Sequence, residues 1–178
     1  MFTKKTFVLF TLSVALAGAA NAATTLTLPD SSQTTSLSAT VSEQARVTVP
    51  ATVSFTVSNV GSSTASASQS VTVDNIVLAD GKKLKISLEA DAADFTAPTG
   101  GTVTWAATDV SWNAATWGGT GTGNATSLSD SAFGEVARSA ANDATLSSTD
   151  LVFTLAAKST VDRAGSHTLG AHWKFESF

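Results

Sequence analysis

The sequence predicts an all-β domain, an antiparallel β-sandwich of about seven to nine strands. Apolar and polar side chains alternate along most of the chain, and between Leu37 and Val57 nearly every odd position is apolar. Such alternation is typical of strands with one buried and one wet face. Clusters of Gly, Pro, Asn and Asp interrupt the alternating runs, as turns do in a sandwich. The chain has no cysteine, so strand pairing and packing alone must stabilise the domain.

The first residues have the pattern of a cleaved secretory signal. Lys4 and Lys5 precede an uncharged, largely apolar stretch, and small residues follow at Ala20 and Ala22. This order of charge, apolar core and A-x-A site predicts cleavage after Ala22. The alternative is a retained anchor, but a spanning helix needs about 20 apolar residues and this run is shorter. A lipid anchor of the bacterial lipoprotein kind would need a cysteine.

We therefore predict a signal peptide at 1–22, a flexible arm at 23–35 and a single β-sandwich domain at 36–178. The location is secreted, periplasmic or at the surface of a bacterial cell, with no stable membrane insertion after cleavage. Without Lys4 and Lys5 the 10 basic residues fall to 8, against 14 acidic residues. This acidic balance argues against nucleic acid and against anionic membranes as partners.

The alternating run from Leu37 to Val57 is too long for one strand and must bend. The bend is expected either at 43–46, where a charge interrupts the apolar series, or at Pro50, which cannot donate to a ladder. Two strands are predicted here. Residues 71–90 are predicted to form a hairpin around Asp80-Gly81, a two-residue turn that matches strand twist. Its register places Val71 and Val73 on the inner face and Ile76 on the outer face with the lysines.

The remaining elements follow from the same alternation. Ser129 to Arg138 could form a single helical turn, because Gly134 weakens a longer helix. A turn or bulge is expected near 107–109, where the inward parity changes. Further strands are predicted around Leu151, Phe153 and Leu155 and along His167, Leu169, Ala171, Trp173 and Phe175.

A membrane β-barrel is the rival architecture for an exported β-protein. Its strands need lipid-facing apolar residues and aromatic girdles. The outward positions here are Ser, Thr and Lys, and Tyr is absent. A sandwich with an interior apolar core is therefore favoured.

No catalytic, cofactor-binding or metal-binding residues are predicted, and the chain is not expected to be an enzyme. His167 and His172 have opposite parity on the last strand, so they should not converge on one metal. Gly165-Ser166-His167 places a serine beside a base, but adjacent strand residues point apart. The loop aspartates lack the D-x-D-x-D-G spacing of a calcium loop and are expected to be solvated turn residues.

The four tryptophans are the remaining distinctive feature. Trp105, Trp112 and Trp173 have inward parity and are assigned to the core. Trp117, which precedes Gly118-Gly119, is the one indole expected to be exposed. It is the candidate ligand contact, because an exposed indole can stack on a sugar ring.

The export signal, the flexible arm and alternating strands such as Val47-Thr-Val-Pro-Ala-Thr-Val-Ser-Phe55 resemble those of bacterial fimbrial or pilin-type surface subunits. The resemblance implies an immunoglobulin-like sandwich and assembly by strand donation to a neighbour's sheet. The expected partners are then copies of this chain or other surface subunits. The predicted function is an exported structural or adhesive surface subunit. The alternative is a carbohydrate-binding module with glycan partners, followed by a membrane barrel or an enzyme.

Overall fold

The computed structural model describes residues 25–29 and 33–178. The predicted signal peptide, 1–22, and the start of the predicted arm lie outside these ranges. The chain divides into two units, residues 1–39 and 40–178. The described residues of the first unit form no strand and are exposed, and the exposed fractions of Leu28 and Leu37 reach 82% and 92%.

The second unit is all-β, as the alternation predicts. Its described residues form eleven strands and one turn of 3-10 helix at Ala107–Asp109. The strands are β1 Gln44–Thr48, β2 Thr64–Ala65, β3 Gln69–Val77, β4 Leu84–Ala90, β5 Val110–Trp112, β6 Thr122–Gly123, β7 Thr126–Ser127, β8 Gly134–Arg138, β9 Leu146–Leu151, β10 Phe153–Leu155 and β11 Ala171–Ser177. The count exceeds the predicted seven to nine because five of these strands have only two or three residues.

The strands form three antiparallel sheets. Their orders are β1-β3-β9, β2-β10-β5-β7 and β11-β4-β8-β6. Among the described strands, none pairs with the strand that directly follows it in sequence. Every ladder therefore joins segments that are separated by at least one other strand. The result is a sandwich-like all-β fold.

The core draws its side chains from all three sheets. Its fully buried members include Val71, Val73, Ile86, Leu146 and Leu151. Burying side chains of this size stabilises the fold by about 1.5–3 kcal/mol each. The core assignment of Trp105 and Trp112 is confirmed, and Trp173 is half-buried and packs against the same cluster.

The predicted strand around Leu151, Phe153 and Leu155 is two strands in two sheets. β9 ends at Leu151 and pairs with β3, whereas β10 begins at Phe153 and pairs with β5. All three side chains are buried, so their predicted inward parity is confirmed. The break at Val152 is where the chain passes from one sheet to the next.

The predicted hairpin at 71–90 is wrong. Its turn exists, since the Lys82 N–H donates to the Ala79 carbonyl at 3.1 Å and Gly81 has a positive φ of 76°. However, β3 pairs with β1 and β9, and β4 pairs with β11 and β8. The turn joins strands of different sheets, and the two strands still contribute Val73 and Leu88 to one core.

Turn geometry accounts for the missing hairpin. Only the second central residue, Gly81, has positive φ, and Asp80 does not. That combination is typical of a type II turn, and type II turns splay the flanking strands, whereas hairpins need the mirror-image types. Asn75 also has positive φ, at 50°. The buried side of β3 changes there from the odd positions to Ile76, which the hairpin register had placed on the outer face.

The prediction of two strands between Leu37 and Val57 is only partly right. One strand forms, β1, with a bulge between Gln44 and Arg46 that matches the first of the expected bends. All five residues of β1 are exposed, so its predicted inward face is wrong. Residues 49–57 follow as an extended segment outside any strand, with half-buried Val53, Phe55 and Val57 packed against the core.

Two other expectations concern turns. The expected irregularity near 107–109 is confirmed as the 3-10 turn. The helical turn at 129–138 is wrong, because residues 134–138 form β8, whose Val136 and Ala137 are fully buried. Pairing with β4 and burial outweigh the weak local helix propensity of this segment.

Candidate functional site

An apolar groove in the second unit is the candidate functional site. It has a volume of about 1130 Å³. Buried core side chains, among them Leu88, Val110 and Leu155, line its interior together with Trp105. Half-buried apolar side chains and polar ones such as His167 complete the lining, and the core side chains at its floor remain buried. Concave sites of apolar and aromatic side chains with a few polar groups are where proteins commonly bind a ligand or partner.

One wall of the groove is the extended segment 50–60. Half-buried Val53, Phe55 and Val57 line the groove together with exposed Ser54, whereas Thr56 does not line it. Among the described residues, the peptide groups of 50–58 make no backbone–backbone hydrogen bond. This wall has the side-chain pattern of a strand but no ladder partner. Unpaired N–H and C=O groups along an extended segment can pair with an added strand.

Residues 161–171 form another part of the lining. Within the described chain, residues 162–167 also make no backbone–backbone hydrogen bond. Side chains hold this segment instead. The Asp162 carboxylate accepts hydrogen bonds from the Thr102 and Val103 N–H groups, both at 3.1 Å, and from the Thr102 hydroxyl at 2.6 Å.

These hydrogen bonds to the charged form lower the pKa of Asp162 to about 2, with the Thr102 hydroxyl as the main cause. Because the folded pKa lies below the usual value of 3.8, the carboxylate stabilises the fold above about pH 4, and this contribution is lost as the pH falls towards 2. We expect Asp162→Asn to lower the urea midpoint at pH 6 and to differ little from the parent near pH 2. Asp130→Asn, an exposed aspartate outside the groove, is the control. An equal difference at both pH values would contradict the assignment.

His167 lines the groove and is fixed by two hydrogen bonds. Its Nε2 lies 3.0 Å from the Arg163 carbonyl oxygen, which can only accept, so Nε2–H is the donor. In the neutral ring Nδ1 then accepts from the Thr104 hydroxyl at 2.7 Å. The ring also makes an edge contact with Trp105, with centroids 5.1 Å apart. These contacts connect residues 163–167 with residues 104–105. Ser166, the serine next to His167 in sequence, makes none of the hydrogen bonds of the imidazole ring.

His172 lies on β11 and has separate partners. Its Nδ1 is 2.7 Å from Asp91 Oδ1, and its Nε2 is 3.4 Å from Glu89 Oε2. The hydrogen bond with Asp91 raises the pKa of His172. The two histidines thus contact different groups. The predicted last strand is shorter than expected, since β11 begins at Ala171, so His167 lies outside it and the parity assigned to His167 does not apply. The pairing of β11 with β4 places His172 opposite Glu89.

Within the described ranges, no three His, Asp or Glu side chains lie close enough together to hold a metal ion. Nor does any helix among those residues have the length and apolar character needed to cross a membrane.

The expected exposure of Trp117 is wrong. Its side chain is 5% exposed and belongs to the core. Glycines make this burial possible, since Gly121 and Gly123 bring the backbone against the Trp117 ring and its Cβ. The loop composition that suggested an exposed indole instead provides close packing onto it. A ligand contact by Trp117 remains a prediction, but the exposure on which it rested is absent.

The sequence contained one indication of the groove. Residues 49–57 have strict strand alternation, yet Pro50 lies near their start. The alternation predicted the inward face of Val53, Phe55 and Val57 correctly. The missing partner strand depends on contacts between distant segments and has no local signature.

No protein-family model, curated protein or solved structure matches this chain.

Proposed function

We propose that the chain is an exported structural or adhesive surface subunit that assembles by strand addition. In this proposal an apolar segment of one copy enters the groove of the next copy. The observation that carries it is the groove itself, which is bordered by backbone without a ladder partner. An added strand would satisfy these peptide groups and cover the apolar lining at once.

The first unit offers a segment of the required chemistry. Leu26, Leu28 and Leu37 are all exposed in the described chain. Leu37, Ala39 and Val41 continue the alternation at every second position, so one face of this segment is apolar. An exposed apolar segment with too little burial of its own gains most by docking on another surface. The immunoglobulin-like type of sandwich and export through the signal peptide belong to the same proposal.

A carbohydrate-binding role has less support. It depended on an exposed indole, and Trp117 is buried. The half-buried Trp173 lines the apolar groove, where stacking on a sugar would compete with strand binding. Strand addition therefore accounts for more of the groove than sugar binding does.

Removing the donor segment tests the proposal. We expect the mature chain, 23–178, to form concentration-dependent oligomers in size-exclusion chromatography with light scattering. A chain lacking 23–39 should stay folded and lose the oligomers that depend on the groove, because the groove then has no segment to bind. Phe55→Asp in the full mature chain should also abolish long oligomers by placing a charge in the groove. Thr56→Asp, which alters the neighbouring residue outside the groove, is the matched control.

Mixing the truncated chain with the Phe55→Asp chain gives a further test of strand addition. The truncated chain keeps the groove and the Phe55→Asp chain keeps the donor, so together they should form heterodimers that cannot extend. Strand addition would be contradicted if deletion of 23–39 left intact the oligomers that Phe55→Asp abolishes, or if the mature chain were monomeric at every concentration.

A further inference from the structure

β1 belongs to the second unit but contributes no buried side chain to its core. All five of its residues are exposed, including Val47. It pairs with β3 through Arg46↔Asp74, Val47↔Val73 and Thr48↔Thr72. β3, in contrast, carries fully buried Val71 and Val73. The body of the fold therefore retains its packed core whether or not β1 is in place.

Besides its ladder with β3, β1 is held in place by polar contacts at the protein surface. The Arg46 guanidinium donates to both carboxylate oxygens of Asp74, at 2.6 and 2.8 Å. Just before the strand, the Glu43 carboxylate accepts from the Ala79 N–H at 2.9 Å and from the Ser177 hydroxyl at 2.5 Å. Exposed pairs of this kind contribute little to stability, because water solvates the separated charges almost as well.

The segment after Thr48, which links β1 to the rest of the second unit, has few contacts that would resist rotation of its backbone. After Thr48 the backbone makes no hydrogen bond with another backbone group through residue 58, as judged from the described residues. Ala51 and Thr52 are exposed, and the first side chain of this link that packs on the core beyond Pro50 is Val53. Rotation about 50–52 would therefore separate β1 from β3 and move half-buried Val49 with it, while the fully buried core side chains stay in place.

We propose that β1 exchanges between copies, so that β1 of one chain pairs with β3 of a second chain. The exchanged strand has the same sequence as the resident one, so Arg46, Val47 and Thr48 find identical partners on the neighbour. The open link is long enough to absorb the change of direction. This exchange uses the edge of β3 and not the groove, so it goes beyond the proposed function and can hold without it.

A disulfide placed across the pairing reports where β1 lies. The chain has no cysteine, so within one chain Thr48→Cys with Thr72→Cys can form only this bond. Cα atoms of directly paired antiparallel residues are about 4.5–5.5 Å apart, within disulfide range. The bond forms within one chain when β1 is resident and between two chains when β1 is exchanged.

We expect refolding of the mature double variant at rising protein concentration, followed by oxidation, to give a rising fraction of disulfide-linked dimers and larger species in non-reducing electrophoresis. Thr48→Cys with Ser70→Cys, which moves the second thiol out of register, should give at least fivefold fewer. A solely intrachain disulfide at every concentration would overturn the proposal, and so would equal linking in the control.

Adding Phe55→Asp to the double-cysteine variant tests whether exchange of β1 is independent of binding in the groove. The interchain links should persist in this background, because β3 is unchanged. Their loss would show that the links depend on the groove and would overturn exchange of β1. Failure of the proposed function has a different result, in which deletion of 23–39 leaves intact the oligomers that Phe55→Asp abolishes.

Discussion

Trp117→Ala is expected to lower the free energy of unfolding by about 3–5 kcal/mol, the usual cost of emptying a buried aromatic site. The indole is buried beside Ala115 and Leu146 in the core cluster, and close-packed glycine backbone surrounds it. Because Gly121 and Gly123 have no side chains, they cannot move into the space that the indole leaves. The cavity should therefore persist, which places the cost in the upper part of the range.

Urea denaturation followed by circular dichroism measures this loss. Phe133→Ala, which removes a more exposed aromatic ring, is the control and should cost much less. Trp117→Phe refines the test, because the Trp117 Nε1 is buried without a hydrogen-bond partner among the described atoms. The phenyl ring removes that unsatisfied donor and should recover part of the loss. A loss below about 1 kcal/mol for Trp117→Ala would contradict burial of the ring.

Gly123→Ala is expected to destabilise the fold by about 1–3 kcal/mol or more through overpacking. A Cβ at this position would overlap the Ala115 carbonyl oxygen and would lie 3.0 Å from Trp117 Cδ1 and Nε1. The carbonyl belongs to the backbone and cannot rotate away, so the strand itself must shift. Differential scanning calorimetry should show a clearly lower melting temperature.

Gly118→Ala is the matched control for that substitution. Its Cβ would meet Ser147 Oγ at 3.5 Å, an ordinary contact. The double variant Gly123→Ala with Trp117→Ala adds a further test, because removing the indole relieves one of the two clashes. Its total loss should be smaller than the sum of the single losses. Strict additivity would mean that Gly123 and Trp117 are not in contact.

The alternation along the chain predicts much of the core. It identifies Val71, Val73 and the run of Leu151, Phe153 and Leu155 as inward, and the structure buries all five. Period-two burial is a local property of strands, so a single sequence is enough to show it. The same property predicts which side of 53–57 faces the groove.

Partner choice between strands was not predictable in the same way. Asp80-Gly81 predicts a turn, and the turn is present, but the same two residues also suit a turn between sheets. Which sheet receives β3 depends on β9, more than sixty residues further along the chain. Local turn chemistry contains no information about that distant segment.

The groove and the burial of Trp117 could not be predicted for the same reason, because both depend on contacts between distant segments. Glycines near an indole usually predict an exposed loop, and here Gly121 and Gly123 instead bring backbone onto the ring. Similarly, residues 50–58 have the composition of a paired strand and make no backbone pairing with any other described segment. In both cases the outcome depends on which segments meet in space, and composition alone does not determine that.

The absence of pairing between consecutive described strands affects how the chain must fold. A hairpin forms quickly because its two strands are already adjacent, but here every ladder requires closure of a longer loop before any hydrogen bond compensates the lost entropy. The ladder between β4 and β11 can form only after the chain has brought together two segments that are some eighty residues apart. Folding should therefore be slow for a domain of this size, in the range of milliseconds to seconds typical of non-local β topologies. During that time the edges of β3 and β4 stay open to other chains, so the order in which distant segments arrive sets the balance between folding alone and associating.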